Sequence, residues 1–257
     1  LNEAKSMGAD MIATGHYAKI AKYKDHFVLD TPKDNSKDQS YFLHALSSEQ
    51  LSHVMFPLGD LTKKEVREIA RTHNLPVSDK KDSTGICFIG NQKFDEFITQ
   101  HLKAIPGDII DENGKVLGKH KGLVCYTLGQ RKGIGLGGIK DNESENNTHK
   151  PWYVAAKDVV NNTLTIVQNT NHPLLMSKNV EASHMHWVLE ETPKVGDKLM
   201  AQVRYRQQKQ ACTVVEASDE KVVVEFDSPQ RAVTLGQSLV LYSGNYCLGG
   251  GFISYYK

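Results

Sequence analysis

Cys87 stands in Asp82-Ser83-Thr84-Gly85-Ile86-Cys87-Phe88-Ile89-Gly90, two positions after one glycine and three before another. A thiol among apolar neighbours can pack as an inert small hydrophobe. Glycines on both sides change what the backbone can do, because they adopt shapes closed to other residues and let a ligand approach the main chain closely. The amides of Gly85, Ile86 and Cys87 can then stabilise a thiolate, the nucleophilic form. Residue types alone leave both readings open.

Four further stretches could carry polar chemistry. Gly15 and His16 follow the apolar run Met11–Thr14, and in open α/β sheets ligands are met outside the carboxyl ends of strands. The run from Lys33 to Ser40 holds two lysines and two carboxylates besides Gln39; its plain reading is a solvated loop, its functional one a surface for phosphates and bases. Arg204-Tyr205-Arg206-Gln207 sets an aromatic between two guanidiniums, a composition suited to phosphate binding and base stacking. Read as strand, it puts both arginines on one face and Tyr205 on the other. The glycine-rich Tyr126–Gly138 segment with Arg131 and Lys132 lacks the spacing of a dinucleotide fingerprint; it is either a mobile loop or a phosphate contact.

Composition limits the field. The 257 residues are 39% hydrophobic, enough for one large or two to three small domains with real cores. With 31 Lys and Arg against 30 Asp and Glu, the net charge is +1, so any RNA surface must be a local patch. No apolar run approaches the length of a membrane span, and none resembles a signal peptide. The four cysteines, Cys87, Cys125, Cys212 and Cys247, form no C-x-x-C pair, which argues against zinc or a disulfide framework and fits a reducing cytoplasm.

The elements that must position these residues change character along the chain. Leu1–Gly8 reads as the end of an amphipathic helix running into a buried parallel strand at Asp10–Thr14. Such a pair cannot bury itself alone, so the expectation is a fragment of a longer protein. A hairpin strand follows at Tyr23–Leu29, then helical spacing at Tyr41–Leu46. Ser47 with Gln50, and Thr62 with Glu65, have capping-box spacing. Asn74 and Pro76 end the second of these capped helices. These helices read as scaffold without chemistry. A helix through Phe94, Phe97 and Ile98 precedes a boundary near residues 91–105. Asn113-Gly114 marks a hairpin, and Asp141–Lys150 reads as a disordered insertion. From Trp152 onward, short alternating runs predict a small β-barrel.

In this order the chain resembles the bacterial tRNA-specific 2-thiouridylases of the MnmA type. The resemblance runs through A-T-G-H-Y-A (Ala13–Ala18), K-D-Q-S-Y-F-L (Lys37–Leu43), D-S-T-G-I-C-F-I-G (Asp82–Gly90), Y-T-L-G-Q-R-K-G (Tyr126–Gly133), R-Y-R-Q (Arg204–Gln207), T-L-G-Q (Thr234–Gln237) and C-L-G-G-G (Cys247–Gly251). It implies an α/β fold, the remainder of an ATP-pyrophosphatase domain of adenine nucleotide α-hydrolase-like type over 1–96. A small central α+β domain over 97–165 and an antiparallel β-barrel over 166–257 would follow. The implied activity is a sulfurtransferase: ATP adenylates the C2 oxygen of the wobble uridine of tRNA, a cysteine persulfide delivers sulfur, and AMP departs.

By matching motif, Cys87 would carry the persulfide and Gly15 would contact ATP. His16, Lys37, Asp38, Gln39, Arg204, Tyr205 and Gln237 would contact tRNA. ATP with Mg2+, tRNA and a sulfur-relay donor protein are the expected ligands and partners, and no resident metal is expected. The family's S-G-G-x-D-S loop and first catalytic cysteine are absent, so the chain alone is expected to be inactive, and the disulfide that Cys87 would form in the family has no partner here. Leu235 stands where the family commonly has proline. The rival reading is a non-catalytic RNA-binding module with a structural cysteine.

Overall fold

A computed structural model describes residues 1–80, 94–136, 150–189 and 191–257. Cys87 with its glycine-bracketed loop, Gly137-Gly138 and nearly all of the predicted insertion lie outside the described residues. In chain order, α1 (Asn2–Ser6), β1 (Ile12–Ala13), β2 (Lys19–Tyr23) and β3 (His26–Asp30) precede α2 (Ser40–Leu43), α3 (Ser48–Ser52), β4 (Val54–Met55) and α4 (Lys63–Thr72). After α5 (Phe94–His101) come β5 (Gly107–Ile110), β6 (Val116–His120), β7 (Tyr153–Asp158) and β8 (Thr163–Val167). The chain ends on β9 (Met176–Trp187), β10 (Lys198–Gln202), β11 (Gln210–Ala217), β12 (Lys221–Arg231), β13 (Ser238–Ser243) and β14 (Tyr246–Tyr256).

The chain divides into two compact units, one of Leu1–Lys81, Lys178–Pro229 and Thr234–Lys257, the other of Asp82–Ser177 and Gln230–Val233. In the first, β1 pairs in parallel with β4 through Ile12↔Val54 and Ala13↔Met55, the parallel strand that the apolar run predicted. Both predicted capping boxes form, Ser47 with Gln50 on α3 and Thr62 with Glu65 on α4. Asn74, at φ 54°, takes the left-handed shape that ends α4.

Six antiparallel strands in the order β13-β10-β11-β12-β9-β14 close on themselves by pairing β13 with β14. Closure leaves no unpaired edge. β14 also receives β3 through Tyr246↔Asp30, with β2 outermost. The β2–β3 turn is made by Lys24 and Asp25, both at positive φ (45° and 65°), the geometry that matches strand twist in a two-residue hairpin. The three glycines of C-L-G-G-G let β14 lie between β9 and β13. At Gly249 (φ 143°) a Cβ would fall onto the His186 carbonyl, and at Gly250 it would meet the Leu239 carbonyl at 2.7 Å.

The core of this unit ties the N-terminal elements to the barrel wall. Ala18, Val28, Leu29, Tyr41 and Leu51 pack with Val188, Val240, Tyr242 and Cys247. Leu239 and Leu241 are also fully buried, on the other face of β13, as the period of two requires.

The second unit holds a four-stranded sheet in the order β6-β5-β8-β7, with β5 and β8 parallel. The first two alternating runs after Trp152 therefore belong here and not to the barrel. The Asn113-Gly114 hairpin forms, with Gly114 at φ 83°. Ile109, Cys125, Tyr126, Ile134, Val154, Leu164 and Ile166 make the core. The glycine-rich segment is held against β7 by Gly129 N–H to the Val154 carbonyl (2.8 Å) and Val154 N–H to the Gln130 carbonyl (3.0 Å). Arg131 and Lys132 remain exposed.

The run Arg204–Arg206 is not strand. β10 stops at Gln202, and the chain turns with Arg206 at φ 65° and Gln207 N–H bonded to the Arg204 carbonyl at 3.2 Å. The prediction that both arginines share a strand face is corrected accordingly. Alternation of residue types mimicked a strand where the backbone bends.

Candidate nucleic-acid interface

The short helix α2 gathers three stretches that lie far apart in the sequence. Its first residue, Ser40, meets the Tyr242 hydroxyl at 3.2 Å. Tyr41 donates its hydroxyl to the Ser238 carbonyl (3.0 Å) and accepts from Ser238 N–H (3.2 Å), beside Gln237. Phe42 lies against Tyr205, ring centroids 4.3 Å apart at 44°. His44, just past the helix, reaches the Ser238 hydroxyl with Nε2 at 3.0 Å. Burial raises the Tyr41 phenol above its ordinary pKa and lowers His44 below the usual imidazole value, His186 nearby adding to the second effect. Both therefore stay neutral at pH 7, and α2 is held to the barrel by uncharged hydrogen bonds.

The Lys33–Ser40 loop is not simply solvated. Lys33 pairs with Glu65 at 2.7 Å, and Asp34 accepts from Lys63 N–H at 2.9 Å, fixing the loop to the start of α4. The lysine ammonium, then the Thr62 backbone, hold the Glu65 carboxyl down at about 2. Gln39 exchanges two bonds with Tyr17, accepting Tyr17 N–H at its side-chain carbonyl (2.8 Å) and donating its own N–H to the Tyr17 carbonyl (2.9 Å). This joins the loop to the Gly15-His16 segment. His16 Nδ1 lies 2.9 Å from the Thr14 hydroxyl, with its ring edge-on to Phe56. Gly15 is exposed at the carboxyl end of β1, where a Cβ would meet nothing closer than Leu58 at 3.9 Å. Its backbone is open to approach by a nucleotide.

Asp38 turns inward. One carboxylate oxygen accepts Ser40 N–H at 2.9 Å, and the other lies 3.6 Å from Lys209 Nζ, with side-chain exposures of 10% and 17% for the pair. Lys209 also donates to the Thr31 hydroxyl (2.7 Å) and sits 3.8 Å from the Tyr242 ring centroid. Burial lowers the Lys209 pKa, opposed by Asp38. Lysine, carboxylate and aromatic thus rivet the 37–39 loop to the residue before β11 and to Tyr242 on β13.

Beside this rivet opens a cleft of about 580 Å³, lined among others by Asn35, Ser36, Arg206, Gln207, Gln208 and Lys209. Gln237 is exposed on the next turn, which Gln237 N–H closes onto the Thr234 carbonyl with Gly236 at φ 78° in third position. Such a turn favours proline in second place, and Leu235 occupies it with the turn intact.

Of the eight predicted site residues that fall among the described ones, Asp38, Gln39 and Tyr205 are tied through Lys209, Tyr17 and α2, and the other five lie within two residues in sequence of groups bound in the same way. Sequence reasoning missed Tyr41, Phe42, Lys209 and Tyr242. Tyr41 and Phe42 were in view within K-D-Q-S-Y-F-L, but helical spacing marked them as scaffold; nothing in the sequence singles out Lys209 or Tyr242.

Lysine, arginine, amide and exposed aromatic groups thus stand on a parallel α/β remnant and a closed barrel, a set of groups suited to an RNA backbone and its unpaired bases. Three family profiles match in order: a tRNA methyl transferase HUP domain over residues 1–91, a tRNA methyl transferase PRC-barrel domain over 95–168, and an aminomethyltransferase beta-barrel domain over 177–253. The chain is 93% identical over all 257 residues to the tRNA-specific 2-thiouridylase MnmA 2 of Aliarcobacter butzleri, covering 70% of that protein. It is 50% identical over 255 residues to the MnmA of Burkholderia ambifaria, covering 99% of this chain and 65% of that one. Against the MnmA of Alcanivorax borkumensis it is 49% identical over 253 residues, 98% of this chain and 68% of the relative. The chain spans about two thirds of the length of these relatives and belongs to the tRNA-specific 2-thiouridylase MnmA family.

Proposed function

We propose that this chain forms the tRNA-gripping and sulfur-presenting part of a tRNA 2-thiouridylase, a sulfurtransferase acting on C2 of the wobble uridine. The observation that carries the reading is the convergence of the 37–39 loop, the 204–206 turn and Gln237 around α2. Lys37 and Arg204 supply cations for phosphates, Gln39 and Gln237 amides for polar edges, and Tyr205 a ring face; Asp38, braced by Lys209, shapes the loop. Unpaired anticodon bases can be splayed out and read on such groups, so a near-neutral chain suffices.

The uridine C2 carbonyl is a poor electrophile until its oxygen becomes a leaving group. Adenylation by ATP, with Mg2+ as counterion, does this and releases pyrophosphate; Gly15, exposed at the end of β1, stands on the nucleotide side. Cys87 then presents persulfide sulfur to C2. The C–S bond forms as the C–O bond to AMP breaks, and the S–S bond is cleaved with the family's other cysteine taking the Cys87 sulfur as a disulfide. The remaining cysteines support this choice by their unsuitability. Cys125, Cys212 and Cys247 are buried, and burial pushes the Cys212 and Cys247 thiols up to about 12, far from the thiolate that sulfur chemistry needs. A sulfur-relay protein would load Cys87 in the cytoplasm. Among the described residues no helix is long and apolar enough to cross a membrane, and no group of three or more His, Cys, Asp or Glu gathers as a metal site.

The test is to load the full-length protein with a persulfide donor and locate the extra sulfur by peptide mass spectrometry. The added 32 Da is expected on the Cys87 peptide (about one sulfur per protein). Sulfur on Cys125, Cys212 or Cys247 with Cys87 unmodified would favour the rival reading, an RNA-binding module with a structural cysteine.

A further inference from the structure

The motif K-D-Q-S-Y-F-L holds a residue that neither the core nor the hydrogen-bond network of α2 accounts for. Phe42 is 55% exposed, although its helix neighbours Ser40 and Tyr41 are buried. A phenylalanine left in water at the centre of a polar surface forgoes the burial that ordinarily stabilises it. Its ring is not free to wander: Tyr205 lies at 4.3 Å between centroids, and Tyr41 packs edge-on at 5.5 Å. The Arg206 guanidinium lies 5.5 Å from the Tyr205 centroid, Arg204 is exposed in the same turn, and Arg206 continues into the polar cleft.

Two aromatic rings fixed side by side, Phe42 exposed and Tyr205 with the Arg206 guanidinium beside it, make the combination that binds unpaired nucleotides. Every base offers a π-face to stack, and the neighbouring cations take the phosphates. We infer that Phe42 is a nucleobase-stacking residue, forming with Tyr205 a platform for an unpaired base of the bound tRNA. This rests on the tRNA-gripping role proposed above. A protein partner docking on Phe42 would use its apolar bulk, whereas a base uses its ring face, and the flanking positive charge favours the polyanion.

The distinction sets the experiment. Wild type, Phe42→Leu and Phe42→Trp are titrated with an unmodified tRNA transcript carrying uridine at the wobble position, after thermal unfolding has shown equal stability. Leucine keeps the apolar volume and removes the π-face; affinity is expected to fall about tenfold. Tryptophan is expected to restore binding, and its fluorescence to be quenched on tRNA addition beyond the change given by Trp152 and Trp187 in the wild type. Leucine binding tRNA as well as wild type, or tryptophan showing no added quenching, would overturn the stacking role and leave Phe42 to a protein contact. A wild-type protein without tRNA affinity would overturn both this inference and the reading it rests on.

Discussion

Cys87→Ser in the full-length protein is expected to lower 2-thiouridine formation by about 10⁴-fold or more while leaving the tRNA dissociation constant within about twofold of wild type. Serine matches cysteine in shape but cannot hold a second sulfur, so the reaction loses its sulfur carrier and nothing else. Affinity for tRNA arises mainly from phosphate and sugar contacts spread over a surface, which the proposed function assigns to the residues around α2 and not to Cys87. Nucleoside mass spectrometry of product tRNA gives the first quantity and filter binding the second. Thiolation at the wild-type rate would remove Cys87 from the chemistry; a parallel collapse of affinity would mean that the loop shapes the RNA surface. The same substitution at Cys247 should leave sulfur transfer in place, because that thiol is 1% exposed inside the core shared by β14 and the N-terminal elements.

Lys209→Met is expected to destabilise the first unit by about 2–3 kcal/mol, near the lower end of the cost of breaking a buried ion pair. The side chains are 17% and 10% exposed, so solvent screens the pair in part. Removing the ammonium leaves the Asp38 carboxylate, which accepts Ser40 N–H, without its paired cation and strips the Tyr242 ring of its cation. The prediction includes its own control. Adding Asp38→Asn to Lys209→Met should recover much of the loss, since a neutral amide still accepts from Ser40 without carrying a buried charge. Urea unfolding of the four proteins in the cycle measures this. Additive losses in the double variant would show that the two side chains act independently.

How far the sequence anticipated the molecule depends on the length scale of the signal. The caps of α3 and α4 and the Asn113-Gly114 hairpin were legible because each is decided within four or five residues by one hydrogen-bond pattern. The parallel character of β1 was legible from its apolar run, but its partner β4, two residues long, leaves no periodicity to read. β2 escaped notice because its turn uses Lys24 and Asp25 at positive φ where glycine or asparagine would have announced it. The turn at 204–206 was misread for a related reason: alternating residue types give a strand's pattern, and only the backbone shape at Arg206 distinguishes them.

At the interface, motif residues identified the segments but not their arrangement. K-D-Q and R-Y-R are separated by more than 160 residues of sequence; they meet through the Phe42–Tyr205 ring contact on α2, while Lys209, a lysine in a polar run with no local signature, holds Asp38. Asp38 matched a contact motif, yet its carboxylate is spent on Ser40 and Lys209. Long-range pairing of this kind comes from closure of the barrel against β3 and α2, which no window of sequence encodes.

The central claim, that three distant segments form one RNA-gripping surface around α2, is tested most directly by hydrogen exchange of the full-length protein with and without tRNA carrying uridine at the wobble position. The account predicts slowed exchange at residues 37–44, 203–208 and 235–238 together, with the same dependence on tRNA concentration. Protection of only one of these segments, or of none while tRNA is bound, would contradict it.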